Sequence, residues 1–457
     1  MNKKQKEPQM FKKNKCFGWI LGLMSIIALV TGIFFTQRSA KSSDMLINDT
    51  HAEFWLLSDL HFLSASLHDE GEAFQQFSES AAGKEMHYQT ESVTAFVDEA
   101  LVHKPTGIIL TGDMTLNGEK TSAEELSTLL APLQEAGIMV LAIPGNHEIH
   151  NGWARAFAKD KEYYADQLST DDFKSIFAEG FEKANSLDKT SLSYSINLND
   201  SYRLFLLDSC IYDSDVNWDD PTTNGELKES TLAWLKTQLE DTKQAGQTPL
   251  IFLHHNLYAH NDLLTEGYVL DNADEALALF DAFDVPAAFS GHIHIQDIEE
   301  KEQALTEVAT GSYSTENLGY GVLTLSKEQI NYQVQTIDLN TWAVSKEQTD
   351  ENLLNYTTYQ SEVFSKSTDE MVREQLGSVS ELSDQQISDI CTFIDTLNKA
   401  LFTGHDQYTA EQIQVIKSSD AYQLLTTYSY FLKQYTDSLL TDKTPDQSVT
   451  ISIPLSN

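Results

Sequence analysis

The sequence predicts a layered α/β protein followed by a helical unit. Between residues 52 and 337, short apolar runs typical of strands alternate with segments whose apolar residues recur at helical spacing. From about Ser345 this alternation fades, and long polar segments with helical periodicity follow. In the first part, each motif rich in histidine or carboxylate falls just after a predicted strand. This is the edge at which open α/β sheets bind ligands.

The elements of the α/β part are predicted from periodicity and turn residues. In the first half, strands and helices alternate at Phe54–Ser58 (strand), Val93–His103 (helix), Gly107–Thr111 (strand), Ser122–Ala136 (helix) and Ile138–Ile143 (strand). The polar, aromatic-rich insertion at 149–190 is expected to be helical and to pack beside the site. A hairpin is predicted for Ser191–Asn197 and Tyr202–Leu207, which flank Asn199 and Asp200. The later elements are Glu226–Thr242 (helix), Leu250–Leu253 (strand), Ala273–Phe283 (helix), Ala287–Phe289, Val308–Ala309, Tyr320–Leu325 and Ile330–Thr336 (strands).

Composition excludes several classes of protein. The 457 residues include 69 acidic and 30 basic side chains, a formal charge of −39, which argues against nucleic acid as a partner. The 22 Phe, 18 Tyr and 6 Trp argue against a disordered chain. Three cysteines cannot form a disulfide framework, although a Cys210–Cys391 bridge stays open.

The N-terminus has the features of a membrane-targeting segment. Residues 16–37 carry no charge, and six lysines precede them, whereas Arg38 and Lys41 follow. This pattern predicts a cytoplasmic N-terminus with everything after Ser42 outside, in a single-pass cell-membrane protein. An uncleaved anchor is favoured over a signal peptide because the apolar run is long and Arg38 disturbs a cleavage site. A cleaved and secreted form is the alternative.

Five motifs carry side chains that can bind metal. They are Asp59-Leu60-His61, Gly112-Asp113, Gly145-Asn146-His147-Glu148, His254-His255 and Gly291-His292-Ile293-His294. Each alone is weak, but all five are expected to meet at one sheet edge. The donors suffice for two ions: with Asp113 bridging, Asp59, His61 and His294 complete one, and Asn146, His254 and His292 complete the other. Two such ions can clamp a phosphoryl group and generate hydroxide, so phosphate-ester hydrolysis is the natural reaction.

These motifs, in this order and spacing, resemble the calcineurin-like metallophosphoesterases over about residues 52–337. The stretches 112–119 and 145–148 are most similar to secreted or membrane-anchored members from Gram-positive bacteria that are grouped with cyclic-nucleotide phosphodiesterases. The resemblance implies a four-layer α/β/β/α sandwich and a dinuclear site. Together with the N-terminal pattern and the change near Ser345, it divides the chain into three segments: a basic tail, anchor and linker (1–43), a metallophosphoesterase domain (44–344) and a C-terminal helical domain (345–457).

The resemblance also assigns roles to the site residues. It implies metal ligation by Asp59, His61, Asp113, Asn146, His254, His292 and His294, and a catalytic role for His147. His147 adjoins a ligand without being needed for either ion, which suits a general acid that protonates the leaving group. Many members have proline where Asn256 follows the histidine pair, and of the two histidines we assign His254 as the ligand. His150, His255 and His260 are expected to be solvated or supporting residues, Glu148 to support a ligand, and Asn117, Tyr313 and Tyr320 are weak candidates for the substrate rim.

The leading hypothesis is a phosphodiesterase that acts on cyclic-nucleotide-like or other extracellular diesters by attack of a metal-bound hydroxide. The ions would be Mn²⁺, Fe²⁺ or Fe³⁺, or Zn²⁺. A phosphomonoesterase or 5′-nucleotidase is the alternative, but no Lys or Arg lies immediately beside the motifs to bind the extra charge, unless Arg155 points inward. A binding or sensor module without catalysis, and a purely structural metal site, are weaker hypotheses. The expected partner is a small phosphoester, with the membrane as the other contact.

Overall fold

The computed structural model describes residues 45–216, 218, 220–301 and 304–453. Its strands are β1 (Ala52–Leu57), β2 (Gly107–Leu110), β3 (Met139–Ala142), β4 (Arg155–Ala158), β5 (Lys161–Tyr164), β6 (Ser186–Leu187), β7 (Tyr194–Asn197), β8 (Tyr202–Leu206), β9 (Thr248–Phe252), β10 (Ala287–Ser290), β11 (Asp297–Glu300), β12 (Thr306–Ala309), β13 (Gly319–Leu325), β14 (Gln329–Thr336) and β15 (Ser448–Ser452).

The α-helices fall into two groups along the chain. Those before residue 338 are α1 (Glu72–Glu79), α2 (Gln89–His103), α3 (Lys120–Glu135), α4 (Thr170–Ile176), α5 (Ala178–Lys183), α6 (Glu229–Ala245) and α7 (Ala273–Ala282). The C-terminal helices are α8 (Leu339–Ser345), α9 (Glu351–Leu354), α10 (Tyr356–Leu376), α11 (Asp384–Phe402), α12 (Ala410–Lys417), α13 (Asp420–Tyr428) and α14 (Tyr430–Ser438).

Two mixed sheets form the centre of the fold. The first has the strand order β15-β14-β13-β1-β2-β3, and the second has the order β11-β12-β10-β9-β8-β7-β6. Strand β1 pairs in parallel with β2 and antiparallel with β13. The parallel strands β1, β2 and β3 therefore end at one edge of the first sheet, and β8, β9, β10 and β12 do the same in the second.

Side chains of β1 show how the layers are built. Phe54 and Leu56 point into the core between the two sheets, whereas Trp55 and Leu57 pack against residues of α2 and α3 on the outer face. This alternation follows from the two-residue period of a strand. On the outer face of the second sheet, α6 and α7 cover a further core. The order of layers is thus helix, sheet, sheet, helix.

The mixed α/β class with a helical C-terminal region is confirmed, and several elements differ from the sequence prediction. The insertion at 149–190 was expected to be helical, but it contains the hairpin β4–β5 together with the short helices α4 and α5. The sequence analysis placed no element at α1, β11 or β15. Strand β15 lies in the part expected to be helical, and it pairs with β14 at the edge of the first sheet.

The C-terminal helices have their own core and also pack on the rest of the fold. Buried residues of α10, α11, α13 and α14 pack together. A second cluster joins Leu397, Leu401 and Leu439 to Ile293 and Ile295. Since Ile293 lies between His292 and His294, these helices support the loop that carries two predicted ligands.

Two sequence expectations concern the membrane and the cysteines. No helix within the described residues is long and apolar enough to cross a membrane, and the predicted span at 16–37 lies outside them. Cys210 and Cys391 are both buried with free thiols, so the bridge left open by the sequence is not formed.

Candidate metal centre

Backbone hydrogen bonds continue beyond the strands and draw the ligand loops together. The amide of Asp59 donates to the carbonyl of Gly112 at 3.1 Å, and the amide of His61 donates to that of Asp113 at 2.9 Å. In the second sheet, the amide of Gly291 donates to His254 O at 3.0 Å. Because each loop is fixed to its neighbour, the side chains after β1, β2, β9 and β10 converge, as the sequence predicts.

The first group of ligands comprises Asp59, His61, Asp113 and His294. Each offers a donor atom within 4.8 Å of the others. The Nε2 atoms of His61 and His294 lie 3.0 Å apart, and His294 Nε2 lies 3.5 Å from Asp59 Oδ1. Two nitrogen ligands at right angles and about 2.1 Å from one ion would be about 3 Å apart, so this spacing suits a bound cation.

The second group comprises Asp113, His254 and His292, with Asn146 beside them. His254 donates from Nδ1 to Thr111 O at 2.9 Å, which directs Nε2 towards Asn146 Oδ1 at 3.1 Å and Asp113 Oδ2 at 3.4 Å. His292 uses Nε2 to donate to Gly267 O at 2.8 Å, leaving Nδ1 for the site. Carbonyl acceptors of this kind fix the tautomer and orientation of metal-binding histidines.

Asp113 belongs to both groups and is the electrostatic centre of the site. It is buried, yet the charges of His254 and His147 hold its pKa well below the ordinary value against the effect of burial. Burial raises the pKa of Asp59 to about 7, opposed by His254 and reinforced by Asp113. Burial alone would lower the pKa of His254, but Asp113 and Asp59 raise it to about 9. Two buried carboxylates among imidazoles form a donor set that fits divalent cations.

Five of the candidate ligands have a strained backbone. Asp59, His61, Asp113, His292 and His294 all have positive φ angles, between 46° and 69°. Residues other than glycine rarely adopt this left-handed conformation, at a cost of about 1–3 kcal/mol each. Such strain persists only where the surrounding structure enforces it, and here it turns both side chains of each Asp-x-His or His-x-His pair towards one centre.

His147 lies at the open side of the cluster. Its backbone amide donates to Asp113 Oδ1 at 2.9 Å, and its side chain is 22 % exposed. The Nδ1 atom lies 2.8 Å from Asn117 Oδ1, and Nε2 lies 3.9 Å from Asp113 Oδ2. Asn117 was a weak candidate for the substrate rim; the structure places it instead as the residue that orients His147.

Glu148 joins two ligand loops. Its Oε1 atom accepts hydrogen bonds from the amide and hydroxyl of Thr115, each at 2.9 Å, and Oε2 accepts one from the amide of Gly145 at 2.7 Å. Burial raises the pKa of Glu148 to about 8. The supporting position expected from the sequence is therefore observed, although Glu148 supports the loop backbone rather than a ligand side chain.

The other histidines considered from the sequence lie outside the ligand groups. His255 is buried, with Nδ1 2.8 Å from Ser209 Oγ and Nε2 3.0 Å from Thr223 O, and this geometry favours His254 as the ligand. His150 Nδ1 lies 2.8 Å from Asp213 O. His260 is buried between Asp297 and Glu307, where these carboxylates outweigh the effect of burial and raise its pKa to about 10.

The proposed rim residues and Arg155 also need correction. The hydroxyl of Tyr313 donates to Ser92 O at 2.8 Å, and Tyr320 packs against Trp55 with ring centroids 4.7 Å apart. Both tyrosines are buried in the core under α2 rather than at the rim. Arg155 stacks over Tyr164 at 4.2 Å and donates to Gly152 O and Ala154 O, so it belongs to the insertion.

Lys84 is a cation near the site that sequence reasoning missed. Burial lowers its pKa, while Asp113 and Asp59 act in the opposite direction. Burial lowers the pKa values of His61, His147 and His294, and the charge of Lys84 acts in the same direction. Lys84 lies 23 residues after His61, the nearest candidate ligand in sequence, and outside every motif, so its position beside the site depends on tertiary packing.

The site and the fold together define a metal-dependent phosphoesterase, and comparison with known proteins names the family. Residues 52–296 match the calcineurin-like phosphoesterases, more than half of the chain, and the protein belongs to this family. Residues 338–446 match the C-terminal domain of cyclic nucleotide phosphodiesterase.

Individual relatives are distant. The chain is 30% identical over 118 residues to a probable cyclic nucleotide phosphodiesterase from Ruthia magnifica subsp. Calyptogena magnifica, which covers 25% of this chain and 49% of that protein. The chain thus spans about half the length of this curated relative. A dimetal phosphatase from Danio rerio is 13% identical, with a TM-score of 0.48, over 63% of this chain and 97% of its own. The purple acid phosphatase PPD1 from yellow lupin (Lupinus luteus) is 12% identical, with a TM-score of 0.42, over 64% and 52%.

Gly112→Ala tests how closely the ligand loops must approach. Gly112 has φ +101°, and a Cβ there would lie 2.5 Å from His254 Nδ1 and 2.8 Å from Gly145 Cα. Gly137 also has a positive φ (+82°), but a Cβ there would meet nothing within 4 Å. We expect Gly137→Ala to cost about 1–2 kcal/mol of stability, from backbone strain alone. Gly112→Ala should cost more and weaken metal binding at least tenfold, as measured by denaturant unfolding and metal titration. Equal effects of the two variants would contradict this account.

Proposed function

We propose that the protein hydrolyses phosphodiesters of the nucleotide-like class at a dinuclear metal centre. The observation that carries this proposal is the sharing of Asp113 between two ligand groups, with His147 beside it on the open side. The match of residues 338–446 to a cyclic nucleotide phosphodiesterase domain supports diesters as substrates. Mn²⁺, iron or Zn²⁺ suits the mixed Asp, Asn and His donors.

The roles of the chain's own residues follow from the geometry. When bound, two divalent ions supply Lewis acidity to the phosphoryl oxygens and activate a water nucleophile. Asp113 would hold the two ligand groups in register, and the remaining ligands would hold the two ions that bind the phosphoryl oxygens. Asn117 fixes the ring of His147 through Nδ1, so that Nε2 faces the cleft and can hold the proton that the leaving oxygen requires.

A cavity of about 90 Å³ adjoins the site and supports a place for the rest of the substrate. Asn146 borders it, together with His150, Asn151, Tyr212 and Asp213. Its lining is mixed, with aromatic, amide and carboxylate groups that can contact a sugar or base. A diester bound at the metal centre would extend one substituent into this cavity.

Substitution of Asp113 and His147 tests the proposed mechanism. We expect the Mn²⁺-loaded protein to hydrolyse bis(p-nitrophenyl) phosphate and a cyclic nucleotide, and Asp113→Asn to abolish both activities because both ligand groups lose their shared carboxylate. His147→Gln should lower kcat for the cyclic nucleotide by about 10²- to 10⁴-fold, since its alkoxide leaving group needs a proton. The loss on bis(p-nitrophenyl) phosphate should be smaller, because nitrophenolate leaves without one.

The exposed His103→Gln is the matched control and should leave both rates unchanged. An equal loss on the two substrates in His147→Gln would argue against a proton-donating role. Failure of the wild type to hydrolyse either diester with Mn²⁺, Fe²⁺ or Zn²⁺ while metal still bound would overturn the phosphodiesterase proposal and favour a sensor module.

Lys84 favours phosphomonoester hydrolysis as a second candidate function. The expectation of diesters depended partly on the lack of a cation beside the motifs, and Lys84 supplies one near Asp59 and Asp113. A monoester carries one more negative charge than a diester, so a nearby ammonium group would benefit it more. Both activities can be carried out by the same metal core.

Lys84→Met separates the two candidates. If monoesters are substrates, kcat/KM for p-nitrophenyl phosphate should fall at least tenfold and that for bis(p-nitrophenyl) phosphate should fall much less, because only the dianion depends on the added cation. Lys327→Met, on the exposed β13–β14 turn, is the matched control. A similar small change on both substrates would remove the case for a monoesterase.

We also propose that the N-terminal segment anchors the enzyme in the cell membrane with its catalytic part outside. The uncharged run at 16–37 and the six lysines before it support this orientation. Protease added to intact cells should degrade the catalytic part of a full-length protein carrying an epitope at its C-terminus, whereas a cytoplasmic control protein should survive. Protection of the epitope until the cells are lysed would contradict the proposed topology.

A further inference from the structure

A second cluster of acidic residues lies where the C-terminal segment meets the second sheet. Asp297 is the first residue of β11, whereas Asp442 and Asp446 belong to the segment between α14 and β15. One carboxylate oxygen from each lies within 4.8 Å of those of the other two. Asp297 and Asp446 are buried, at 3 % and 1 % exposure, and Asp442 is half-buried. The cluster shares no residue with the dinuclear site.

Asp297 already has a cationic partner on one side. His260 Nδ1 lies 2.5 Å from Asp297 Oδ2, and its Nε2 lies 3.3 Å from Glu307 Oε2. This imidazolium faces two carboxylates of its own and so neutralises at most one charge. Burial raises the pKa of Asp446 to about 9, and the neighbouring carboxylates Asp297, Asp442 and Asp406 act in the same direction, against the hydrogen bond from the amide of Ile298.

The two oxygens of Asp446 have different surroundings. Its Oδ1 atom accepts a hydrogen bond from the amide of Ile298 at 2.9 Å. Its Oδ2 atom is buried and has no hydrogen-bond partner among the residues that the structure describes. The same holds, within the described chain, for Oδ1 of Asp406, a residue that is 2 % exposed. Buried carboxylate oxygens are costly unless a hydrogen bond or a cation compensates them.

We infer that Asp297, Asp442 and Asp446 bind a hard divalent cation, with Ca²⁺ as the best match. Oxygen-only donors select hard cations over those that bind the histidine-rich site. Two oxygens on one Ca²⁺ at about 2.4 Å can lie up to about 4.8 Å apart, which agrees with the observed grouping. Asp406, whose charge acts on Asp446, offers a further carboxylate to a cation that takes six to eight ligands, and water can supply the others.

A cation at this position joins parts of the chain that are about 150 residues apart. Gln296 Nε2 donates to Asp446 O at 2.9 Å, so the 441–447 segment is already seated on the start of β11. The ion would strengthen this contact and so restrain the connection from α14 to β15. Since Asp297 lies three residues after His294, the bound cation would also restrain the C-terminal end of the loop that carries His292 and His294.

Thermal unfolding of the full-length chain, purified in detergent and stripped with chelator, tests the inference. The Asp113→Asn background removes the carboxylate shared by the dinuclear site, so that a response to Ca²⁺ reports the acidic cluster. At saturating Ca²⁺ we expect Tm to rise by roughly 5 °C, with a smaller rise at the same concentration of Mg²⁺. Asp446→Asn and Asp442→Asn should each abolish the rise, and Asp262→Asn, an exposed carboxylate nearby, should retain it.

The Tm values of the metal-free proteins provide a second test. They distinguish carboxylates that bind a cation from carboxylates that only stabilise the fold. Without metal, Asp442→Asn should have a Tm at least equal to that of its parent, because it removes repulsion between carboxylates. With Ca²⁺ the order should reverse. No response of the parent to Ca²⁺, an equal response in Asp446→Asn, or an equal response to Mg²⁺ would overturn the Ca²⁺ assignment. None of these results depends on whether the enzyme hydrolyses diesters.

Discussion

The burial of Asp59 and Asp113 among imidazoles is the constraint on which the rest of the site depends. Neither carboxylate is accessible to water, so each must be compensated by protein groups or by cations. Backbone amides compensate part of the charge: that of His292 donates to Asp59, and that of His147 donates to Asp113. These bonds run between loops that follow different strands. The same interactions that stabilise the charges therefore hold the loops in the arrangement that brings the two groups of candidate ligands together.

The two-sheet architecture explains how five loops reach one point. Parallel strands β1, β2 and β3 of the first sheet, and β9 and β10 of the second, all end on the same side of the inter-sheet core. Positive φ angles then turn the ligands back over the strand ends. Glycines at 112 and 145 allow the loops to touch, since a Cβ at either position would collide with Asp113, His254 or the facing loop. The sheets fix where each ligand loop begins, and the positive φ angles in the loops fix where the side chains point.

The grouping of the candidate ligands could be predicted from the sequence because its signals are local. Each ligand motif adjoins an apolar run, and the hydrophobic period identifies β1, β2, β3 and β9 from neighbouring residues alone. Features set by distant contacts were missed. Lys84 reaches the site from a turn after α1, and β15 finds its place only by pairing with β14 more than a hundred residues earlier. The sequence does not reveal the hairpin β4–β5, because its exposed strand Lys161–Tyr164 has no buried face to give a two-residue period.

The C-terminal helices affect the site through packing rather than chemistry. Leu397, Leu401 and Leu439 contact Ile293 and Ile295, which flank His292 and His294 in sequence. A residue in the strained left-handed conformation returns to a more common one if its loop is free to move. Packing of the C-terminal helices against Ile293 and Ile295 therefore helps to keep His292 and His294 in the conformation that directs their side chains into the site. The acidic cluster at Asp297 lies at the other end of the same loop. The loop at 292–297 is therefore supported by apolar packing at Ile293 and Ile295 and by the acidic cluster at Asp297. This support is a structural role for the C-terminal helices, none of whose residues belongs to the two groups of candidate ligands.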